Sequence, residues 1–193
     1  MIKIGILGDI GSGKSYVARN FGYQVFNADK EVTKLYNNDR KIFNKLNKIL
    51  PQHIKSFPVS KVEVSNAILA KETNLNKIIK IVHLEVRKKM NIFLKKNRTK
   101  KIVILDIPLL LENKLNNKKD ILIFVQSKKS EILKRLKKRK TFNKKLLKKF
   151  KKIQFSLYLK KKKSDFVIKN DFTKKSVKKE INIILNKVLK IKR

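Results

Sequence analysis

The sequence predicts a doubly wound α/β fold on a five-stranded parallel sheet, and three observations carry that expectation. Five short aliphatic or β-branched runs, Ile2–Leu7, Gln24–Asn27, Lys101–Asp106, Ile121–Gln126 and Asp165–Lys169, alternate with longer tracts of helical periodicity. Uninterrupted apolar stretches such as Ile102-Val103-Ile104-Leu105 suit strands covered on both faces. The first run feeds straight into a glycine-rich turn and then a helix, the opening of a βαβ unit.

The helical tracts follow in order. Lys14–Phe21 follows the glycine-rich turn, and Gln24–Asn27 ends at Ala28-Asp29. From Lys30 to Leu50, Val32, Leu35, Tyr36, Ile42, Phe43, Leu46, Ile49 and Leu50 recur at spacings of three and four. Pro51 and Pro58 mark a break. Asn74–Leu94 keeps Ile78, Ile81, Val82, Val86, Met90 and Phe93 on one face. Ser130–Lys138 and Lys144–Leu159 read as basic helices, and Lys174–Leu189 as a closing helix with Val177, Ile181, Ile184, Leu185 and Val188 inward. The lysine runs Lys148–Lys152 and Lys160–Lys163 are expected to be solvated helix surface. No internal repeat or linker-like tract occurs.

At 193 residues the chain is expected to form one domain with a substantial core. The absence of cysteine excludes disulfide frameworks and thiolate metal sites. No apolar run approaches the roughly 18–20 residues of a membrane span. The glycine-rich turn follows Met1 too soon for a secretory apolar segment, so a cytoplasmic protein without a membrane partner is expected. The net charge of +38 suggests either a nucleic-acid surface or compositional drift. Arginine, the residue suited to bidentate phosphate and base contacts, stands only at Arg19, Arg40, Arg87, Arg98, Arg135, Arg139 and Arg193. A lysine excess beside abundant Ile and Asn favours drift, and no specific nucleic acid is expected. A general attraction for anionic substrates follows either way.

Gly8-Asp9-Ile10-Gly11-Ser12-Gly13-Lys14-Ser15 matches G-x-x-x-x-G-K-[ST] between a strand and a helix. Four of the five glycines fall within the first thirteen residues, where backbone must approach a ligand closely. Backbone N–H groups from Gly11 to Ser15 would form an anion nest at a helix N-terminus. Lys14 would then place a cation on the β- and γ-phosphates, and Ser15 a hydroxyl on magnesium. The nucleotide-binding stretch is therefore Asp9, Ile10, Gly11, Ser12, Gly13, Lys14, Ser15 and Tyr16, holding a nucleoside triphosphate with Mg2+.

Asp106 closes an apolar strand in a Walker-B-like arrangement and is the second magnesium candidate. Asp29 suits either of two roles: orienting an acceptor hydroxyl toward the γ-phosphate, or capping a helix that begins at Lys30. Arg135 and Arg139, four apart in a chain that otherwise prefers lysine, suit a transferring phosphoryl group or ordinary surface. Asn117-Lys118-Lys119-Asp120 resembles a guanine signature but precedes a strand, and no glycine after Gly22 is left for a GTPase switch or a KH loop. His53 and His83 lack any metal-like cluster.

In their order along the chain these motifs resemble the dephospho-CoA kinase family. Ile4–Ser15 resembles its I-G-L-T-G-G-I-G-S-G-K-S opening, and Val25-Phe26-Asn27-Ala28-Asp29 its V-I-D-A-D. His83-Leu84-Glu85-Val86-Arg87 resembles H-P-x-I-R, Asp106–Glu112 resembles D-I-P-L-L-F-E, and Arg135/Arg139 fall on its R-x-x-x-R. Gln154 and Ser164–Asn170 follow its Q … A-D-x-V-I-x-N. The resemblance implies a P-loop kinase fold with three parts: a core of residues 1–37, 99–134 and 164–193, a helical acceptor-binding insertion at about 38–98, and a lid at about 135–163. It implies transfer of the ATP γ-phosphate to the 3′-hydroxyl of dephospho-CoA, the last step of coenzyme A synthesis. Lys14, Asp29, Arg135 and Arg139 are then catalytic, Asp29 as candidate base and the arginines in the lid. Asn170 joins the nucleotide site, and Asp29, His83, Arg87, Pro108 and Leu109 the acceptor site.

Several positions depart from the family pattern. Asp9 replaces a glycine and must point away from the phosphates, Asn27 replaces an aspartate, Leu84 a proline, Ile132 a common glutamine, and Asp171 stands where a glycine usually follows the Asn. The rival readings are another small-molecule P-loop kinase, of nucleotide or shikimate type, and a basic nucleic-acid-binding NTPase. Asp106–Glu112 together with His83 and Arg87 argues against the former. The sequence leaves oligomeric state open.

Overall fold

The computed structural model describes residues 1–191. Along the chain run β1 (Ile2–Gly8), α1 (Lys14–Asn20), β2 (Gln24–Asn27), α2 (Ala28–Asn38), α3 (Arg40–Ile49), α4 (Lys61–Ala70) and α5 (Glu72–Lys96). There follow β3 (Ile102–Asp106), β4 (Ile121–Gln126), α6 (Lys129–Lys137), α7 (Lys144–Lys152), α8 (Leu157–Lys162), β5 (Phe166–Lys169) and α9 (Lys174–Ile191). The five strands pair in parallel in the order β2-β3-β1-β4-β5. The expected doubly wound sheet is therefore what forms.

The chain divides into two compact units. One comprises residues 1–27, 97–142 and 151 onward, and the other 28–96 and 143–150. In the first, the sheet carries the core. Ile4, Ile6, Ile102, Ile104, Ile123, Val125 and Ile168 pack with Val17 and Ala18 of α1 and with Val177, Ile181, Ile184 and Val188 of α9. These are the β-branched runs and the inward stripe that the sequence marked, and burying such side chains is the main favourable term in folding. On β1, Gly5 leaves room for Leu110 and Leu122: a Cβ there would collide with both. At the other end of the sheet Lys3 pairs with buried Asp120 at 2.9 Å, and Asp120 also accepts from the N–H of Asn117 at 2.9 Å. The Asn117–Asp120 stretch is thus a turn that enters β4.

The second unit is helical, with α2, α3 and α4 all packed on α5. Leu75, Ile78, Val82, Val86 and Met90 form the buried stripe of α5. The single helix expected over Lys30–Leu50 is two helices. Asp39 breaks it by accepting from the N–H groups of Lys41 and Ile42 at 2.9 and 3.1 Å, the work of an N-cap. Helix α4 was not expected, although its start is written in Ser60-Lys61-Val62-Glu63. Ser60 Oγ accepts from Val62 N, and the Glu63 carboxylate accepts from Ser60 N, a capping box. Likewise Lys144–Leu159 is not one helix: α7 ends at Lys152, and Ser156 caps α8 by accepting from Leu159 N at 3.2 Å. Burial pushes the Tyr36 phenol of α2 up to about 12. Among the described residues no helix is long and apolar enough to cross a membrane.

Candidate active site

The loop Gly8–Gly13 joins β1 to α1 at the carboxyl edge of the sheet, with Gly8 beside Val125 of β4. Gly11 and Gly13 take φ of +88° and +90°, values costly for any residue with a Cβ. Both also permit close approach. A Cβ at Gly11 would stand 3.0 Å from Leu136 and 3.1 Å from Ile132 of α6, and one at Gly13 would collide with Asn170. Ile132, where a glutamine is common in the family pattern, thus packs on the phosphate loop. Gly13 is the N-cap of α1, so the first N–H groups of the helix point at the loop's mouth.

Lys14 Nζ donates to the carbonyls of Asp9 at 2.8 Å and Gly8 at 3.2 Å, so its ammonium spans the loop. Ser12 is fully buried, and its Oγ has no hydrogen-bond partner among the described residues, while Ser127 Oγ and Asn170 Nδ2 donate to its carbonyl at 3.0 and 2.8 Å. The Ser12 hydroxyl packs against Gly8, where a Cβ would stand 2.8 Å from it. The Asp9 side chain turns back on its own loop. Oδ1 accepts from Ile10 N at 2.7 Å and Oδ2 pairs with Lys151 at 3.3 Å.

Asp106 ends β3 beside β1 and is 2 % exposed. Asn27, its register partner on β2, donates Nδ2 to Asp106 Oδ2. Asn27 is the departure from the family's aspartate, and the contact explains how it is tolerated. A second carboxylate there would repel Asp106, whereas an amide donates to it. Asp106 and Ser15 offer hard oxygen donors, and among the described residues no cluster of three or more His, Cys, Asp or Glu could hold a metal by itself. That donor set fits Mg2+, which is usually held by one or two carboxylates together with phosphates and water.

Pro108 and Leu109 lie half-buried in the turns after β3, where the Leu109 carbonyl accepts from Asn113 N and Nδ2. Arg135 is exposed on α6, its guanidinium 4.3 Å from the Phe172 ring centre. Arg139 does not share that helix: α6 stops at Lys137, and Arg139 N closes a turn on Leu136 O at 3.0 Å. Asn170 is buried with both ends of its amide engaged, Nδ2 on Ser12 O and Oδ1 from Phe172 N at 2.9 Å. In the helical unit, His83 is half-buried and Arg87 exposed, one turn apart on α5. Asp29 neither ends a strand nor caps a helix: α2 begins at Ala28, so Asp29 is an exposed residue of its first turn. The helix-cap reading falls, because a cap must precede the first helical residue.

Two residues escaped the sequence reading. Lys160, expected on the surface, is 1 % exposed and pairs with Glu112 at 2.9 Å while donating to Gln154 Oε1 at 2.9 Å. The same Glu112 oxygen accepts from Phe155 N at 2.8 Å. This cluster fastens the chain after α7 to the loop that follows Asp106. Glu112 and Gln154 both stood in the motifs, but nothing in the local sequence names Lys160 as their partner. Phe172 was the other omission, with φ of +67° immediately after Asn170-Asp171.

The family model for dephospho-CoA kinase matches residues 2–176. A dephospho-CoA kinase of Bacillus cereus (strain ATCC 14579) is 30 % identical over 195 residues, covering 96 % of each chain. One from the Wolbachia of Brugia malayi is 33 % identical over 138 residues, 69 % of this chain and 71 % of that protein. Among solved structures, dephospho-CoA kinase from Campylobacter jejuni superposes with a TM-score of 0.65 at 20 % identity, covering 99 % of this chain and 98 % of that one. Shikimate kinase from Acinetobacter baumannii does so at 0.54 and 14 %, covering 100 % and 95 %. The structural likenesses speak for the P-loop kinase fold, and the sequence matches go further. The chain belongs to the dephospho-CoA kinase family, kinases that carry phosphate from ATP to a hydroxyl in the last step of coenzyme A synthesis.

Proposed function

We propose that this chain transfers the ATP γ-phosphate to the 3′-hydroxyl of dephospho-CoA in the cytoplasm, with Mg2+ held by Ser15, Asp106 and the phosphates. The observation that carries the reading is the pairing of a strand-to-helix glycine nest, spanned by Lys14, with the buried Asp106 one strand away. The nest N–H groups and Lys14 balance the charge that develops on the phosphoryl oxygens. Magnesium supplies a further Lewis acid when bound. Arg139 adds a guanidinium to the transferring group, and His83, Arg87, Pro108 and Leu109 serve the acceptor. Asp29 aligns the attacking hydroxyl and takes its proton late, because a loose transition state demands little prior deprotonation.

The test is ADP release measured with dephospho-CoA against shikimate and nucleoside monophosphates. Dephospho-CoA should be the preferred acceptor, and equal use of the others would overturn the reading. Lys14→Ala should lose on the order of a thousandfold or more in turnover with the fold intact. Asp29→Asn should lose on the order of a hundredfold in turnover while ATP affinity holds. Its stability should change by less than about 1 kcal/mol, since Asp29 is exposed in the first turn of α2 and asparagine keeps its shape. Turnover of Asp29→Asn within a few-fold of native would take the hydroxyl role from Asp29.

A further inference from the structure

We infer that Asn27 is a positioning residue that makes divalent-cation binding in this chain depend on the nucleotide. It holds Asp106 in place while withholding the second carboxylate that would let the sheet edge take a cation by itself. The inference rests on the placing of Mg2+ at Ser15 and Asp106 proposed above, and adds to it a residue where this chain departs from the family pattern.

Register is the first sign. Asn27 ends β2, Asp106 ends β3, and the two are partners across the parallel pair. Such partners lie about 4.8 Å apart and project from the same face of a sheet. Aspartate in place of Asn27 would set two carboxylates side by side at the carboxyl edge. Affinity for a hard divalent cation rises with the number of charged oxygens offered to it. Of this pair, only Asp106 offers one.

The partner that Asp106 takes is the second sign. The chain carries 52 lysines and arginines, yet Asp106 Oδ2 accepts from the neutral Asn27 amide. A neutral donor fixes the direction of a carboxylate without cancelling its charge. Asp106 is 2 % exposed, so little water competes for that direction. With Oδ2 engaged, Oδ1 is the oxygen left for a cation. One oriented carboxylate and the Ser15 hydroxyl fall short of the six oxygens that Mg2+ demands, so phosphate oxygens and water have to complete the set. Asn27 therefore keeps Asp106 aimed and charged, and leaves the remaining affinity to the nucleotide.

The experiment uses Mn2+ as the reporter for Mg2+ on the full chain, with Asn27→Asp, Asn27→Ala and Asp106→Asn. Paramagnetic resonance of free Mn2+ measures its binding without nucleotide, and calorimetry measures ADP affinity in Mn2+ and in a chelator. Without nucleotide, Asn27→Asp should bind Mn2+ at least about tenfold more tightly than the native chain. Mn2+ should then raise its melting temperature by several degrees, against about 1 °C or less for the native chain. In chelator Asn27→Asp should melt below native, because two like charges adjoin. Asn27→Ala removes the donor without adding charge, and so decides the matter even if Asn27→Asp does not fold. It should lose about tenfold of the gain in ADP affinity that Mn2+ confers, with ADP affinity in chelator within about twofold of native. A merely structural role would weaken ADP alike in both conditions. The inference is overturned if Asn27→Asp binds Mn2+ as native, or if Asn27→Ala keeps the full native gain. Asp106→Asn tests the metal placement separately. If it keeps the gain, that placement fails and the inference with it. If it loses the gain while both Asn27 variants behave as native, the inference alone fails.

Discussion

Helices α7 and α8 are both lysine-rich stretches of one region, yet they treat that residue in opposite ways. Lys144–Lys152 buries none of its side chains, whereas the six-residue α8 holds Lys160 among the most deeply buried side chains of the protein. Nothing in the local sequence separates them, since Lys148–Lys152 and Lys160–Lys163 have nearly the same composition. The difference lies in a distant partner. Glu112, on the loop after β3, meets Lys160 at 2.9 Å and also accepts the N–H of Phe155. A buried ammonium is tolerable only when paired and hydrogen-bonded, and Lys160 has both a carboxylate and the Gln154 amide oxygen.

The largest expected effect tests that contrast directly. Lys160→Met should cost about 3–5 kcal/mol in denaturant unfolding, because it leaves Glu112 buried without its cation. Lys148→Met should stay within about 0.5 kcal/mol. The double variant Lys160→Met with Glu112→Gln should recover much of the loss, since the stranded charge goes too. Equal effects at the two lysines would mean that the burial of Lys160 carries no energetic weight.

A second buried ionisable group sharpens the point from the other side. The Tyr36 phenol, with burial holding it up to about 12, favours the neutral form in the fold. Its folded value lies above its unfolded value near 10, so its contribution is intact below pH 10 and falls as pH rises toward 12. The loss should be on the order of 1–2 kcal/mol over that window. Tyr36→Phe should flatten the decline in urea unfolding between those pH values, and an unchanged decline would assign it to other groups.

How far the sequence could be read follows the same physics. Periodicity and the P-loop pattern are local, and they yielded all five strands, the nest and Asp106. Helix boundaries at Asp39 and Ser156 were lost because apolar spacing continues across them while a side-chain cap interrupts the backbone. Helix α4 was lost although its capping box is local, so Ser60→Ala should cost about 1 kcal/mol in thermal unfolding. A negligible cost would make Ser60-Lys61-Val62-Glu63 a coincidence. Lys160 and Phe172 were out of reach for a different reason. Their contacts are with Glu112, Asn170 and Arg135, which only the folded sheet brings to them.

The smallest effect concerns a lysine midway between the two extremes. Lys151, at the end of α7, is 48 % exposed and pairs at 3.3 Å with Asp9, itself nearly buried. Such a half-exposed pair should contribute less than about 1 kcal/mol, so Lys151→Met should scarcely move the melting temperature. Its consequence should appear in substrate binding instead. Asp9 replaces the glycine expected in the phosphate loop, and Lys151 is the cation that faces its outer oxygen. Removing that cation leaves an uncompensated carboxylate on the phosphate loop, and KM for ATP should rise roughly two- to fivefold with kcat little changed. Added salt should shrink the difference, because screening acts on partly exposed charges. Asp9→Asn should reverse it in the Lys151→Met background, since the amide oxygen can still accept from Ile10 N while the charge is gone. If KM rises in Lys151→Met and Asp9→Asn does not restore it, Lys151 acts on the nucleotide directly, and its pairing with Asp9 is incidental.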